Sequence, residues 1–475
     1  LKKAKERLNL VRRNSILMTG LLGAIAIGAI AFSDASRKAT LTAQTSQVET
    51  LTTLANDRFQ QNQQLEATVT ALRAIKVLKQ TNVPQDQYLP TLRNIILQSQ
   101  EVNRLAIENP QQSSLLMIGV AVHPKQPILA ASGSDGKIRI WRLDGKLINT
   151  IEGHKDKIWD VEFSHNGNFL ASSSLDKTIK LWNLESLLEQ KTTSLKSSPI
   201  DLGNSNAVYD ADFSQNDDWL VSSGKDGVLQ VRNLQSQQLG RKLSELDMRI
   251  LAPRQTIEGG NLYRIYAVDI NPLNNDWIAY GSNSDSNVYV WNWKQKSRPV
   301  SIGYNPRNDG ITFVSFSPNG LYLAATSASG FVKLWRRKSF NVYEPLTEIS
   351  AFKVRTHSLA FDQKSQFLAI ASSEGTIKIW QISHLAQNPT NFQASFTLKR
   401  HQGEVNKLIF SHDSQYLISA GDDGTVRLWS LTLNTIQDKQ LQAIDEVYKY
   451  GCSRIQSYLL NYPSLSPDER QSCIL

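Results

Sequence analysis

Residues 153–182 read GHKDKIWDVEFSHNGNFLASSSLDKTIKLW. An apolar run from Ile158 to Phe163 meets a polar turn. A second run then ends in the small residues Ala171 and Ser172, a tight turn follows at Asp176, and alternating residues close on Trp182. The alternation of Ile179, Lys180, Leu181 and Trp182 is that of a half-buried strand. The same grammar recurs over residues 117–143, 158–184, 208–234, 265–293, 311–336, 356–382 and 405–431. The closing position holds Trp141, Trp182, Arg232, Trp291, Trp335, Trp380 and Trp429, at intervals of 41, 50, 59, 44, 45 and 49 residues. Six positions earlier stand Asp135, Asp176, Asp226, Asp285, Ser329, Glu374 and Asp423. Asp135-Gly136, Asp226-Gly227 and Asp423-Gly424 are hairpin pairs, with glycine accepting the positive φ of the turn. Small sheets of this kind cannot cover both faces alone; seven stacked around an axis do so. The expectation is a mainly β, seven-bladed propeller over residues 101–434, closed by an N-terminal strand near Arg104–Glu108 that completes the seventh blade.

The second repeat resembles the WD-repeat family almost throughout: Gly153-His154, Trp159 to Ser164, Leu170-Ala171-Ser172, Asp176 and Leu181-Trp182. The resemblance implies buried hydrogen-bonded tetrads of His, Ser, Asp and Trp. Carried over, these are His154, Ser172, Asp176 and Trp182, and in the seventh repeat His401, Ser419, Asp423 and Trp429. They are structural, not catalytic. Trp141, Trp291, Trp335 and Trp380 close other blades. No repeat has Asp after its Trp, Arg232 replaces the third Trp and Ser329 the fifth turn Asp, so those blades are expected to hold less firmly.

Outside the repeats, residues 1–14 are basic, and Asn14 to Ser33 carry no charge. About 20 apolar residues span a bilayer as a helix, so a membrane helix is expected over residues 15–33. Six basic residues before it place the N-terminus in the cytoplasm and the propeller on the outer, periplasmic side. Ala29-Ile30-Ala31 also fits a signal-peptide cleavage pattern; the length of the apolar run favours an uncleaved anchor. The small-residue stripe of Gly20, Ala24 and Gly28 reads as ordinary span composition, although it leaves homo-oligomers through this helix or the neck compatible with the sequence. Residues 34–100 form a helical neck, either a coiled-coil spacer or a helical hairpin. Leu65, Val69, Leu72, Ile75 and Leu78 line one helix, and a short helix follows over Leu89–Gln98. Residues 435–475 form a helical tail. Its Cys452 and Cys473, the only cysteines, are expected as free thiols; one bridge between them is the alternative for a tail outside the cytoplasm. Basic stretch, span, helix, propeller and tail (Gly451-Cys452, Asn461-Tyr462-Pro463, Arg470 to Cys473) together resemble the C-terminal half of bacterial STAND-type NTPase/WD-repeat proteins. That resemblance implies a membrane-anchored signalling protein with an NTPase in a portion preceding Leu1.

The net charge is +9, of which residues 1–38 contribute +6. A basic footprint on a folded face is therefore lacking, and nucleic acid is not expected as a partner. No nucleotide loop, zinc-protease helix or nucleophile elbow occurs, and the seven histidines show no metal-ligand spacing. No cofactor and no metal are expected, and residues 1–475 are read as a binding module and not as an enzyme. The alternative is a secreted or periplasmic hydrolase-like propeller with its site at the channel mouth. Aligning the first strands of the repeats gives a ring: Ile118, Trp159, Tyr209, Tyr266, Thr312, His357 and Asn406. By family analogy this ring opens to the channel, so Trp159, Tyr209, Tyr266, His357 and Asn406 are candidate contacts for a protein or peptide. Packing between blades is the competing role for its aromatic residues. A second candidate surface is the insertion at residues 235–253.

Overall fold

The computed structural model describes residues 2–61, 63–106, 115–188, 200–202, 206–234, 248–251, 264–283, 286–295, 298–304, 309–339, 342–387, 393–431, 443–461 and 465–473. They fall into two compact units, one of residues 100–437 with 454–466, the other of residues 1–99 with 438–453 and 467–475.

In the first unit, seven four-stranded antiparallel sheets succeed one another along the chain. Their first strands are Met117–Val122, Ile158–Phe163, Val208–Phe213, Ile265–Ile270, Ile311–Phe316, Thr356–Phe361 and Val405–Phe410, here numbered as blades 1 to 7. Each packs against the first strand of the next blade, and that of blade 7 against that of blade 1, so the ring is closed. Between blades lie apolar layers; Trp182 joins Ile140, Ile158 and Leu170, and Trp429 joins Ile379, Leu408 and Leu417. The fourth strand of blade 7 is Glu101–Leu105, paired antiparallel with Val426–Ser430. The closing strand therefore lies three residues earlier than the Arg104–Glu108 expected. Residues 107 and 108 lie outside the described residues.

Closure is chemical as well as geometric. Glu101 is fully buried, and its carboxylate lies 3.0 Å from Arg104 Nε and 2.6 Å from Arg427 Nη1 on the neighbouring strand. A buried charge held by two guanidinium groups costs little as long as every partner stays in place. The second half of the tail helix also belongs to this unit: Arg104 lies 5.9 Å from the Tyr458 ring centre, and Asn461 Nδ2 donates to Asp144 O at 2.7 Å.

The second unit is helical. Lys2–Gln60 is one continuous helix, and it packs on Gln64–Gln80, which packs on Leu89–Gln98. Leu65, Val69, Leu72, Ile75 and Leu78 are buried, as their spacing requires of one face. The neck is thus a packed set of helices and not a lone spacer. Among the described residues no helix is long and apolar enough to cross a membrane. Most side chains of the span expected over 15–33 lie outside the described residues. The tail folds back within this unit: Tyr448 OH donates to Ser472 O at 2.7 Å, and Lys79 pairs with Asp445 at 2.7 Å. Gly451 lies against Leu72 and Ile96, where an added Cβ would sit 2.8 Å from a Leu72 methyl. This packing brings Cys452 and Cys473 together as a disulfide with Cα atoms 5.6 Å apart, which overturns the expectation of free thiols. Their spacing in the chain carried no sign of it, because the approach is tertiary.

Candidate functional site: the channel mouth

The tetrads come first, because they set the turns. Trp182 Nε1 donates to Ser172 Oγ at 2.9 Å, Ser172 Oγ lies 2.8 Å from His154 Nε2, and His154 Nδ1 lies 2.9 Å from Asp176 Oδ2. Blade 7 repeats the chain: Trp429 to Ser419 at 2.9 Å, Ser419 to His401 at 2.7 Å, His401 to Asp423 at 3.0 Å. A serine that accepts from indole has its own proton for Nε2, which assigns the neutral Nδ1–H tautomer to both histidines. Burial, the largest influence, holds both histidine pKa values below the ordinary one and favours that neutral form. Burial pushes the Asp176 and Asp423 carboxyls up, but hydrogen bonds from Thr178 and the Lys155 N–H at one, and from His401 at the other, leave them below the usual range.

The two departing blades find substitutes. Arg232, 1% exposed, donates from Nη1 to Ser222 Oγ at 2.9 Å and from Nη2 to Leu202 O at 3.2 Å, as the indole would have done to the strand serine. Burial lowers its pKa to about 10. In blade 5 the carboxylate comes from Asp309, which accepts from Ser327 Oγ at 3.0 Å and from Ser329 N at 2.8 Å. These blades are compensated, not merely weakened. Trp141 and Trp335 are buried, Trp335 Nε1 donating to Ile302 O at 3.0 Å; Trp291 and Trp380 are buried likewise. Asp285 lies outside the described residues.

Every first strand carries a register shift beside its second residue, at Ile158/Asp160, Val208/Asp210, Ile265/Ala267 and their counterparts. A bulge re-aims a side chain, and here the re-aimed residue is the ring position identified from the sequence. Ile118, Trp159, Tyr209, Tyr266, Thr312, His357 and Asn406 all line one cavity of about 340 Å³. Trp159 and Tyr209 are 5.4 Å apart between ring centres, and Tyr209 and Tyr266 4.9 Å. Trp159 is 36% exposed and Tyr209 only 7%, so the first faces outward while the second is wedged between its neighbours. Asn406 is committed to the fold: its Nδ2 donates to Met117 O at 2.9 Å and to Asp422 Oδ1 at 2.8 Å, joining blade 7 to blade 1. His357 pairs with Glu404 across blades 6 and 7 at 3.1 Å, and burial lowers its pKa.

Below the rings lies a layer that the sequence reading missed. Asp160, Glu162, Asp210, Asp212 and Asp269 occupy alternate positions of the first strands of blades 2 to 4. Three of them bind the next blade: Asp210 accepts from Val268 N at 2.9 Å, Asp212 from Ile270 N at 2.5 Å, and Asp269 from Phe316 N at 2.6 Å. Lys407 reaches across from blade 7, its Nζ 2.8 Å from Asp160, 3.9 Å from Asp210 and 4.7 Å from the Phe313 ring centre. Burial and the neighbouring Asp160 raise the Glu162 pKa to about 7, and burial raises that of Asp269 to about 6. Asp210 and Asp212 are raised as well, chiefly by burial. The signal in the sequence was acidic residues at i and i+2 in otherwise apolar strands, easily taken for a solvated face. Among the described residues no group of three or more His, Cys, Asp or Glu side chains is arranged to hold a metal ion.

With seven blades, the tetrads and the closing strand in place, comparison with known proteins places the chain. The profile of the WD domain, G-beta repeat, matches residues 112–142, 145–183, 195–233, 299–336, 345–381 and 392–430. This is a WD-repeat propeller. The chain is 23% identical to human Transducin beta-like protein 2 over 250 residues, which cover 49% of the chain and 50% of that protein. It is 42% identical over 73 residues to the Probable cytosolic iron-sulfur protein assembly protein Ciao1 of Culex quinquefasciatus, covering 14% and 22%. It is 21% identical over 275 residues to Pre-mRNA-processing factor 19 of Oryza sativa subsp. japonica, covering 57% and 38%. The chain spans half or less of the length of these relatives.

Proposed function

We propose that this WD-repeat propeller is a protein-interaction scaffold that docks an extended segment of a partner at its channel mouth. One observation carries the reading: three aromatic rings from consecutive blades line a 340 Å³ cavity, and the outermost is 36% exposed. Exposed Trp and Tyr are the side chains that anchor interfaces. The carboxylates beneath accept backbone N–H groups, a task that belongs to the scaffold and favours binding over hydrolysis. Relatives with names of assembly and processing factors point the same way.

The scaffold is anchored by residues 15–33, N-terminus in the cytoplasm and propeller outside, as part of a bacterial signalling assembly. Support comes from the uncharged run Asn14 to Ser33, the basic residues before it, and the resemblance to STAND-type proteins. The Cys452–Cys473 disulfide supports the outer side, since such bonds persist in oxidising compartments. The full chain is expected to stay in the membrane fraction after alkaline carbonate extraction, and release into the supernatant would refute the anchor. For docking, Trp159→Ala with Tyr266→Ala is expected to abolish capture of the proteins that co-purify with the full chain. The melting temperature should remain nearly unchanged. If the double variant unfolds, the rings are core.

A further inference from the structure

The far end of the first strands carries a separate feature. Neighbouring strands of each sheet run antiparallel, so the turn from first to second strand and the hairpin from third to fourth lie at one end, opposite the channel mouth. In blades 4 and 5 hydrogen bonds tie the two together: Trp293 N donates to Asp276 O at 3.0 Å, and Arg337 N to Leu321 O at 2.7 Å. At this end Leu273 is 53% exposed, Leu321 39% and Val300 60%. One exposed aliphatic residue is ordinary, whereas a contiguous group marks an interaction surface.

The packing of the two blades makes the group contiguous. Leu273 Cδ1 lies 2.7 Å, and Arg337 Nη1 3.7 Å, from the position that a Cβ on Gly320 would take. A leucine of blade 4 and a guanidinium of blade 5 therefore meet over one bare glycine, and Leu321 follows it in the chain. Val300 stands across from Val290, which packs against Val314 and Phe316 of blade 5, so Val300 faces that blade as well. Tyr343 of blade 5 is buried; its hydroxyl accepts from Asn271 Nδ2 at 3.2 Å and donates to Gly320 O at 3.4 Å, which pins blade 4 to blade 5 at this seam.

The charge around the seam has one sign. Asp276 pairs with Lys294 at 2.5 Å, and Glu344 pairs with Lys338. Arg337, and Arg298 two residues before Val300, have no acidic partner among the described residues. The channel mouth differs, since Lys407 there already meets Asp160 and Asp210. A guanidinium fork matches a carboxylate with two parallel hydrogen bonds.

We propose that the seam of blades 4 and 5 docks a segment of a partner protein that carries aliphatic residues beside acidic ones. Its aliphatic side chains cover Leu273, Leu321 and Val300, and its carboxylates pair with Arg298 and Arg337. This surface goes beyond the docking role of the channel mouth and does not depend on it.

The test titrates three acetylated peptide amides into the full chain by calorimetry. They are Gly-Glu-Leu-Leu-Asp-Leu-Glu-Gly, its counterpart with glutamine and asparagine for the acids, and its counterpart with serine for the leucines. The acidic peptide is expected to bind roughly tenfold more tightly than the uncharged one, with the serine peptide silent. Arg298→Gln with Arg337→Gln should bring the acidic and uncharged peptides to equal affinity. Leu273→Ser with Val300→Ser should abolish binding of both while the melting temperature stays nearly unchanged; should that variant fail to fold, the arginine pair decides. Trp159→Ala with Tyr266→Ala should leave binding intact, because those rings stand at the other end of the channel. Equal binding of the acidic and uncharged peptides to the unaltered chain, loss of binding in the ring variant alone, or no binding of any peptide overturns the proposal. Tighter binding of dispersed dihexanoyl phosphatidylglycerol than of the acidic peptide would assign the seam to a lipid surface and overturn it too.

Discussion

At the scale of single residues, the propeller's tetrads are buried polar groups that partner one another. Ser419 Oγ accepts from the Trp429 indole and lies 2.7 Å from His401 Nε2, and it is fully buried. Ser419→Ala strands both partners, and a buried unsatisfied group costs about 1–3 kcal/mol. The guanidinium unfolding midpoint should fall accordingly with an unchanged slope; an unchanged midpoint would mean that the tetrad contributes nothing. The channel acids act in the opposite sense. Glu162 and Asp269 have folded pKa values of about 7 and about 6, above the unfolded values of roughly 4.3 and 3.9. The folded chain thus binds protons that the unfolded chain has released. The stability from this source is complete below about pH 4 and is lost as pH rises through about 6 to 7. Asp160, Asp212, Lys407 and His165 surround Glu162 and tune the midpoint. Denaturant unfolding is therefore expected to show a less stable propeller at pH 8 than at pH 5.5, and Glu162→Gln should flatten that difference.

At the scale of the element, the ring is held at one seam. Glu101 on the closing strand meets Arg427 on the third strand of blade 7, and both are buried. Glu101→Ala removes the buried carboxylate that Arg104 and Arg427 share, although Arg427 keeps Asp423 at 2.9 Å, and breaking a buried pair by removing one member costs about 3–5 kcal/mol. The melting temperature should fall, and proteolysis should begin near residues 101–105; cleavage elsewhere first would place the weak point in another blade. This scale also shows what could be read in the chain. Blade number, closing tryptophans and tetrads were legible because they recur at fixed register, and the ring of Trp159, Tyr209 and Tyr266 followed from aligning the repeats. The role of Asp309 was not, since it serves Ser329 from a loop 20 residues earlier and no repeat register contains it. Arg232 was legible only as a departure. That a guanidinium can reach Ser222 as an indole does is a matter of packing. The carboxylate layer was hidden for a related reason: alternation marks a face, and only closure of the ring turns that face inward.

At the scale of the whole molecule, the two compact units invite separate accounting. The disulfide Cys452–Cys473 joins two cysteines of the helical unit and closes a loop over 21 positions, of which residues 454–466 belong to the propeller unit. By loop-closure entropy a bond of that span stabilises its unit by about 3 kcal/mol. Cys452→Ser with Cys473→Ser should lower the helical transition in calorimetry by more than the propeller transition, since both cysteines lie in the helical unit. Gly451→Ala, which forces a methyl against Leu72 and Ile96, should lower the same transition without any change in redox state. If both variants instead shift a single common transition, the helical unit and the propeller unfold as one cooperative body, and the stability of one cannot be assigned apart from the other.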